Sequence, residues 1–514
     1  MNARARAVVV AGAVALATCA TTGAFAAPAT VVTPALGGTA WTSEGVAKLA
    51  ADLDALLGDA PALRGAHVGV VALDTASGDM LYARNAGDEF QPASTLKLVV
   101  GSAALDRLGP QYRFHTSLVA QGDGSPKRLV FRAGGDPLLA KADLDDGVRA
   151  VLASGFTSPR DDLTIDDSRF DRAPYPAGWT WDDFAYDYAP RISAVTFEEN
   201  VVHVTVGPGA RVGALARIGT APLDAVRFAG EGCRPTASVV VRPRAKTAPA
   251  ASDSDALDIV REPGGCIDIV GSIPLGSPPQ TIDAAVPSPA LYAYDYLRGG
   301  LKSVLGPSAT RVASFPDEHR YEARQLATRA PGTVLWQHDS PPLATFLGPH
   351  FWIPSDNLVG EVLLKELGLV TGALPGTTEK GVAYEKVWLR SIGVDPATVT
   401  LADGCGMSQY DRITPRDLVA VLQHDWNGPN RQLVLASLPV GGARGTIEGI
   451  ADTPAAGRVF AKTGSMMHVR GLAGFLATIR HGAVTFAFQV DDWNGDYPAL
   501  AALRARVLAR LVVD

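Results

Sequence analysis

Pro92-Ala93-Ser94-Thr95-Leu96-Lys97-Leu98-Val99-Val100-Gly101-Ser102-Ala103-Ala104-Leu105 is the stretch around which this 514-residue chain is organised. Its apolar residues Leu96, Val99, Val100, Ala103 and Ala104 recur at helical spacing, and Pro92 stands where a helix can begin. The pattern predicts a helix with Ser94 in its first turn and Lys97 one turn on. Residues three apart on a helix are neighbours, so the lysine amine reaches the serine hydroxyl, and the helix N-terminus offers free N–H groups to an anion forming there. The result is a nucleophile beside a base. Alone the signal is weak, because a serine three residues before a lysine arises by chance about once in a chain this long.

Two further short motifs follow in order, Ser355-Asp356-Asn357 and Lys462-Thr463-Gly464, and each of the three patterns occurs once. The second sits at a predicted helix entry, ahead of Leu358, Val359, Val362, Leu363 and Leu364. The third lies in strand-like sequence after Val459-Phe460-Ala461.

The length is too great for one typical core and suggests several domains. At the N-terminus, Arg4 and Arg6 precede an apolar run from Ala7 to Leu16, and Ala24-Phe25-Ala26 presents small residues where a signal peptidase cuts. Residues 1–26 therefore read as a signal peptide of an exported protein. Thr18 ahead of Cys19 does not fit a lipidation site. Removing residues 1–26 takes two arginines and no acids, leaving 44 basic against 53 acidic residues, a formal charge of −9. That balance excludes a nucleic-acid partner. No later segment has the apolar length to span a bilayer, although the terminal helix, with Leu500, Leu503, Val507 and Leu511 on one face and Arg504, Arg506 and Arg510 on the other, leaves peripheral membrane contact open. The nine histidines include no metal-ligand spacing, and neither metal nor cofactor is expected. Of the three remaining cysteines, Cys233 and Cys266 share a β-rich region and are expected to be bridged, with Cys405 free.

Along the chain, Val46 to Leu57 reads as a helix, and Val68 to Leu73 with Met80 to Ala83 as a hairpin leading into the serine helix. From about Tyr112 short β-type runs alternate with turns such as Gly134-Gly135-Asp136-Pro137, until a helical stretch from Tyr292 stops at Gly306-Pro307. Gly471 to Ile479 and Ala483 to Val490 make an antiparallel pair before the terminal helix. The expected fold is α/β (α+β): an antiparallel sheet flanked by helices, formed by 27–112 with 309–514 and interrupted by a mainly β insertion over 113–308, in two subdomains.

With these motifs in place the chain resembles the penicillin-binding proteins, and specifically the class C low-molecular-mass D-alanyl-D-alanine carboxypeptidase/endopeptidase family. The spacing of 261 positions from Ser94 to Ser355 matches that family's large insertion. Gly134-Gly135-Asp136-Pro137, Trp179 to Asp183, Ser340-Pro341-Pro342-Leu343, Asp403-Gly404, Arg412-Ile413-Thr414-Pro415 and Ser437-Leu438-Pro439-Val440 extend the likeness over nearly all of the mature chain. One departure is Cys405 in Asp403-Gly404-Cys405-Gly406, where the family usually has serine.

The resemblance implies a serine β-lactamase/transpeptidase-like catalytic domain. Ser94 is the expected nucleophile and Lys97 its base, provided that burial and the second cation Lys462 depress the lysine pKa. Ser355 is expected to relay a proton to the leaving D-alanine, with Asn357 on the substrate's amide side. Thr463 and Ser465 would hold the terminal carboxylate beside Gly464, and the N–H groups of Ser94 and Ser465 would form the oxyanion hole. The implied ligands are peptidoglycan stem peptides ending in D-Ala-D-Ala and β-lactams as covalent inhibitors, in the periplasm or at the outer face of the cytoplasmic membrane. The Trp179 to Asp183 run is a candidate contact for a diamino-acid amine. The competing readings are a catalytically silent peptidoglycan-binding protein and a serine β-lactamase or esterase. The β-lactamase reading is weakened because no glutamate between the second and third motifs is followed four residues later by asparagine.

Overall fold

The computed structural model describes residues 29–35, 37–58, 60–122, 128–158, 163–221, 226–228, 239–250, 256–261, 265–306, 330–370, 374–447 and 449–513. The expected leader 1–26, Cys233 and the expected boundary at 308–309 lie outside them.

The two ends of the chain meet in one sheet. Short apolar runs around a turn make a hairpin of β1 (His67–Asp74) and β2 (Met80–Arg84), whose turn is pinned by Asp74 Oδ1 accepting the N–H of Ala76 at 3.0 Å. Far along the chain, β16 (Val459–Met466), β17 (Val469–Ala477) and β18 (Ala483–Asp491) follow one another antiparallel, and β18 pairs with β1. The resulting order is β16-β17-β18-β1-β2, with β16 at the edge.

Both faces of this sheet are buried, which explains why its strands read as nearly continuous apolar runs. Val68, Val70 and Ala72 of β1, Leu472 and Leu476 of β17, and Phe486 and Phe488 of β18 pack on α1 (Ser43–Leu57) and on the terminal helix, α9 (Tyr497–Val513). The alternate residues Val71, Ala473, Phe475 and Ala487 face a second core with α2 (Lys97–Leu108), α5 (Asn357–Val370) and α7 (Pro415–Asn427). Thr414 and Asp417 form a reciprocal capping box at the start of α7, as the sequence Thr-Pro-Arg-Asp leads one to expect. Leu500, Leu503, Val507 and Leu511 are all spent on the sheet. Arg504 is not on the solvent face: it is 3 % exposed, and Arg510 pairs with Asp52 of α1 at 2.8 Å. No helix among the described residues is long and apolar enough to cross a membrane.

Between β2 and α5 the chain builds smaller sheets. β3 (His115–Gln121), β4 (Arg128–Arg132) and β5 (Leu163–Asp166) form one with β15 (Thr333–Asp339), which returns from far along the sequence to pair antiparallel with β3. Helices α3 (Lys141–Ala153) and α4 (Pro289–Leu301) pack beside it. A three-stranded sheet, β14-β6-β7, joins β6 (Val201–Gly207), β7 (Arg217–Ala221) and β14 (Gln280–Ala285). A four-stranded one, β11-β12-β9-β8, joins β8 (Val226–Phe228), β9 (Val239–Pro243), β11 (Asp258–Arg261) and β12 (Ile267–Val270). A short parallel pair, β10 (Lys246–Ala248) with β13 (Ser272–Pro274), completes the region.

A close approach sets α2 against the segment before α5. At Gly101 a Cβ would stand 2.6 Å from the ring of Trp352, a fully buried residue whose indole N–H donates to the Lys97 carbonyl at 2.8 Å. Gly101→Ala gains helix propensity but overpacks this ring, which has nowhere to move. The expected net result is a loss of about 1–2 kcal/mol, read as a lower urea midpoint at unchanged slope.

Candidate active site

Ser94 lies in a 3-10 turn, Ala93–Leu96, and the α-helix begins only at Lys97. The expected first-turn placement is therefore off by one kind of turn: Pro92 caps the 3-10 segment, and Ala93 takes a left-handed φ of 44°. Strain of this kind costs on the order of 1–3 kcal/mol and persists where packing over-determines it. That packing comes from β16. A Cβ on Gly464 would sit 2.6 Å from the Pro92 carbonyl oxygen and 3.1 Å from the Thr95 nitrogen, so the strand edge lies directly on the serine turn and only glycine fits. Gly406 is pressed in the same way against the Ala93 carbonyl.

Lys97 is fully buried, and its Nζ has three oxygen partners: Ser94 Oγ at 2.8 Å, Asn357 Oδ1 at 2.6 Å and the Cys405 carbonyl at 2.9 Å. Burial lowers its pKa, while the Cys405, Asp403, Asp356 and Glu361 groups pull it back up. Asn357 opens α5 and is held from the other side, its Nδ2 donating to the Tyr188 carbonyl at 2.7 Å and to Met407 Sδ at 3.0 Å. Asp356 accepts the Val359 N–H at 2.7 Å. Ser355, at a left-handed φ of 66°, accepts from Lys462 Nζ at 2.8 Å. Lys462 is also fully buried and gives a second bond to the Thr463 carbonyl at 2.9 Å.

Burial lowers the pKa of both lysines, and their ammonium groups lie close enough to repel: burial and the neighbouring Lys97 charge drive Lys462 well below the ordinary lysine value, whereas acids near Lys97 oppose its shift. Thr463 Oγ1 shares a 2.5 Å hydrogen bond with Thr446 Oγ1, and Ser465 is exposed on the strand edge.

Three contributors were not assigned from the sequence: the Cys405 carbonyl, Glu361 and the Tyr188 carbonyl. The family-like Asp403-Gly404 pair was the available signal. Asp403 Oδ1 accepts the N–H groups of Cys405 at 3.1 Å and Gly406 at 2.6 Å, and Oδ2 those of Ser408 at 2.7 Å and Trp179 Nε1 at 2.8 Å. Trp179 is thus committed to the interior and not to a substrate amine, while Trp181 is 81 % exposed. Glu361, Asp403 and Cys405 bring potential metal-ligand atoms within 4.8 Å of one another, but both Asp403 oxygens and one of Glu361 already accept N–H groups of the surrounding turn. Cys266 is in a disulfide, and Cys405 is free and buried.

The model of the D-Ala-D-Ala carboxypeptidase 3 (S13) family matches residues 49–508. This chain belongs to that family. Among S13-like relatives, the D-alanyl-D-alanine carboxypeptidase of Actinomadura sp. (strain R39) is 32 % identical over 483 residues, covering 90 % of this chain and 84 % of that protein. The D-alanyl-D-alanine carboxypeptidase DacB of Haemophilus influenzae is 24 % identical over 440 residues, 84 % of this chain and 86 % of that one. The fold is shared with the crystal structure of penicillin binding protein 4 (dacB) from Haemophilus influenzae, at a TM-score of 0.73 and 21 % identity over 90 % of this chain and 99 % of that chain. That protein has also been solved with a β-lactam, where the TM-score is 0.68 at 22 % identity, with the same coverage of both chains. The α/β fold expected from the motifs, an antiparallel sheet flanked by helices, is the fold observed.

In this S13 member the backbone carbonyl of Cys405 accepts from Lys97, while its Sγ lies 3.7 Å from Asp403 Oδ2, and burial with the acids Asp403 and Glu361 pushes the thiol well above its usual pKa. A serine hydroxyl donates to the same carboxylate. Cys405→Ser is expected to acylate with a penicillin within about twofold of wild type, since a raised-pKa buried thiol is inert; a large loss would assign the thiol a part in the reaction.

Proposed function

We propose that this chain is a serine-type D-Ala-D-Ala carboxypeptidase acting on peptidoglycan stem peptides through an acyl-enzyme at Ser94. The observation that carries the reading is the three-acceptor arrangement of a buried Lys97. A neutral amine has two N–H groups and one lone pair. With Asn357 Oδ1 and the Cys405 carbonyl taking the N–H groups, the lone pair faces Ser94 Oγ. Lys97 then accepts the serine proton as the oxygen attacks the penultimate D-Ala carbonyl, and the backbone N–H groups of Ser94 and Ser465 receive the oxyanion. Breakdown of the tetrahedral species breaks the C–N bond, and Ser355, hydrogen-bonded to Lys462, passes a proton to the departing D-alanine amine. Water then releases the acyl group, and the proton returns to Ser94. Thr463 and Ser465 on the strand edge bind the terminal carboxylate beside Gly464. Because Lys462 is the more strongly depressed lysine, we assign it the Ser355 proton relay more than a fixed positive charge. A β-lactam presents its strained amide and carboxylate to the same groups and acylates Ser94.

The domain division follows the same reading: 27–112 with 309–514 as the catalytic part, and 113–308 as an insertion that admits cross-linked peptide and supports endopeptidase action. The disulfide of Cys266 is assigned to Cys233. The N-terminal signature supports export, to the periplasm or the outer face of the cytoplasmic membrane.

The deciding assay is D-alanine release from a diacetyl-Lys-D-Ala-D-Ala peptide by wild type and Ser94→Ala. Release by wild type and a fall of at least about 10³-fold in the variant is expected for a lost nucleophile. Equal rates would remove Ser94 from the chemistry.

A further inference from the structure

Helix α5 reaches Lys97 twice. Its first residue, Asn357, does so directly, and one turn on, along the same face, stands Glu361. Glu361 is fully buried, and its Oε1 accepts the N–H groups of Gly404 at 2.8 Å and Cys405 at 2.9 Å. These are the peptides leading into the carbonyl that accepts from Lys97 Nζ. We propose that Glu361 is a positioning residue for proton transfer from Ser94: it fixes the turn 403–406 so that the Cys405 carbonyl takes one N–H of Lys97 and the amine lone pair stays on Ser94 Oγ. This rests on the reading of Ser94 and Lys97 as nucleophile and base.

Two acids divide the turn between them. Asp403, inside it, ties its own following N–H groups, whereas Glu361 hydrogen-bonds it to the helix that also carries Asn357, so both N–H acceptors of Lys97 are referred to one rigid element. Asn357 and Cys405 leave the amine one free direction. If the carbonyl swings, the amine rotates about its Cε–Nζ bond and the lone pair leaves the serine. Glu361 Oε2 is buried without a partner, as are both oxygens of Glu385 on α6 (Thr378–Ser391), whose carboxyl is raised by burial first and then by Glu361. Burial first and Asp403 second push the Glu361 carboxyl up to about 8, so near neutral pH it serves largely as a neutral acid, through its carbonyl oxygen. An amide of the same shape should do the same work.

The test is stopped-flow acylation by a fluorescent penicillin, resolving the limiting rate from the half-saturating concentration at neutral pH, with circular dichroism to confirm folding. Glu361→Gln, which keeps the acceptor, is expected within about threefold of wild type. Glu361→Met, which removes it, is expected to lower the limiting rate about 10- to 100-fold at unchanged half-saturation, the effect of misplacing a reacting group and not of losing a binding contact. A Met variant at the wild-type limiting rate, or a Gln variant as slow as Met, overturns the proposal and leaves the acyl-enzyme reading standing. Should the Met variant not fold, Glu361→Asp, with its carboxyl withdrawn by one methylene, decides: a slowed limiting rate at unchanged half-saturation supports the proposal and a wild-type rate overturns it. A wild type that takes no label overturns the reading of function and this proposal with it.

Discussion

Everything in this molecule turns on keeping a lysine amine out of water. A free lysine is protonated at neutral pH and cannot accept a proton from serine, and the remedy is desolvation, which disfavours the charged form. Lys97 is fully buried, yet acids nearby oppose the effect, so its protonation is a balance between burial and the charges of Asp403 and Asp356. A second buried lysine adds to the effect: the Lys97 and Lys462 ammonium groups repel one another, and that repulsion works with burial against the charged form. Two Lys–Ser pairs, each 2.8 Å long, are thus coupled by charge. Such a coupled pair suits a reaction needing one base and one proton donor.

Burying two lysines requires a rigid shell, and the fold supplies it by folding distant segments onto one another. The edge strand β16 lies on the serine turn through Gly464, and α5 brings Asn357 from far along the sequence. The segment between α2 and α5 is tied to the same helix. Arg169 makes two bonds to Glu366, whose Oε1 also accepts from Tyr112 at 2.6 Å, and Lys365 pairs with Asp171. Breaking one partner of so buried a pair leaves an uncompensated charge, so the segment between α2 and α5 and the helix that carries Asn357 hold one another in place. The Tyr188 carbonyl, which fixes the Asn357 amide, also comes from that segment.

Much of this was legible in the sequence, because local patterns report local structure. The 67–84 hairpin, the capping box before α7 and the strands that follow Lys462 come directly from short apolar runs, turn chemistry and capping residues. The three motifs carried the chemistry. What the sequence hid is what depends on three-dimensional neighbours. The 3-10 start at Ser94 arises because β16 presses on the turn. Arg504 is drawn inside although its helix face looks polar. Trp179, read as a candidate for substrate contact, is spent on Asp403. The Cys405 substitution looked like a lost hydroxyl, but a backbone atom does the work there, and no side-chain pattern reports a carbonyl.

The claim that Lys97 acts as a neutral base is tested most directly by the pH dependence of penicillin acylation of the wild-type protein. Its pKa is lowered by burial, so the amine becomes available at a lower pH than in a free side chain. The acylation rate should therefore rise with pH through a midpoint below the free-lysine value of ~10.4 and level off above it. A midpoint at or above that value, or a rate indifferent to pH across the range, would contradict the account.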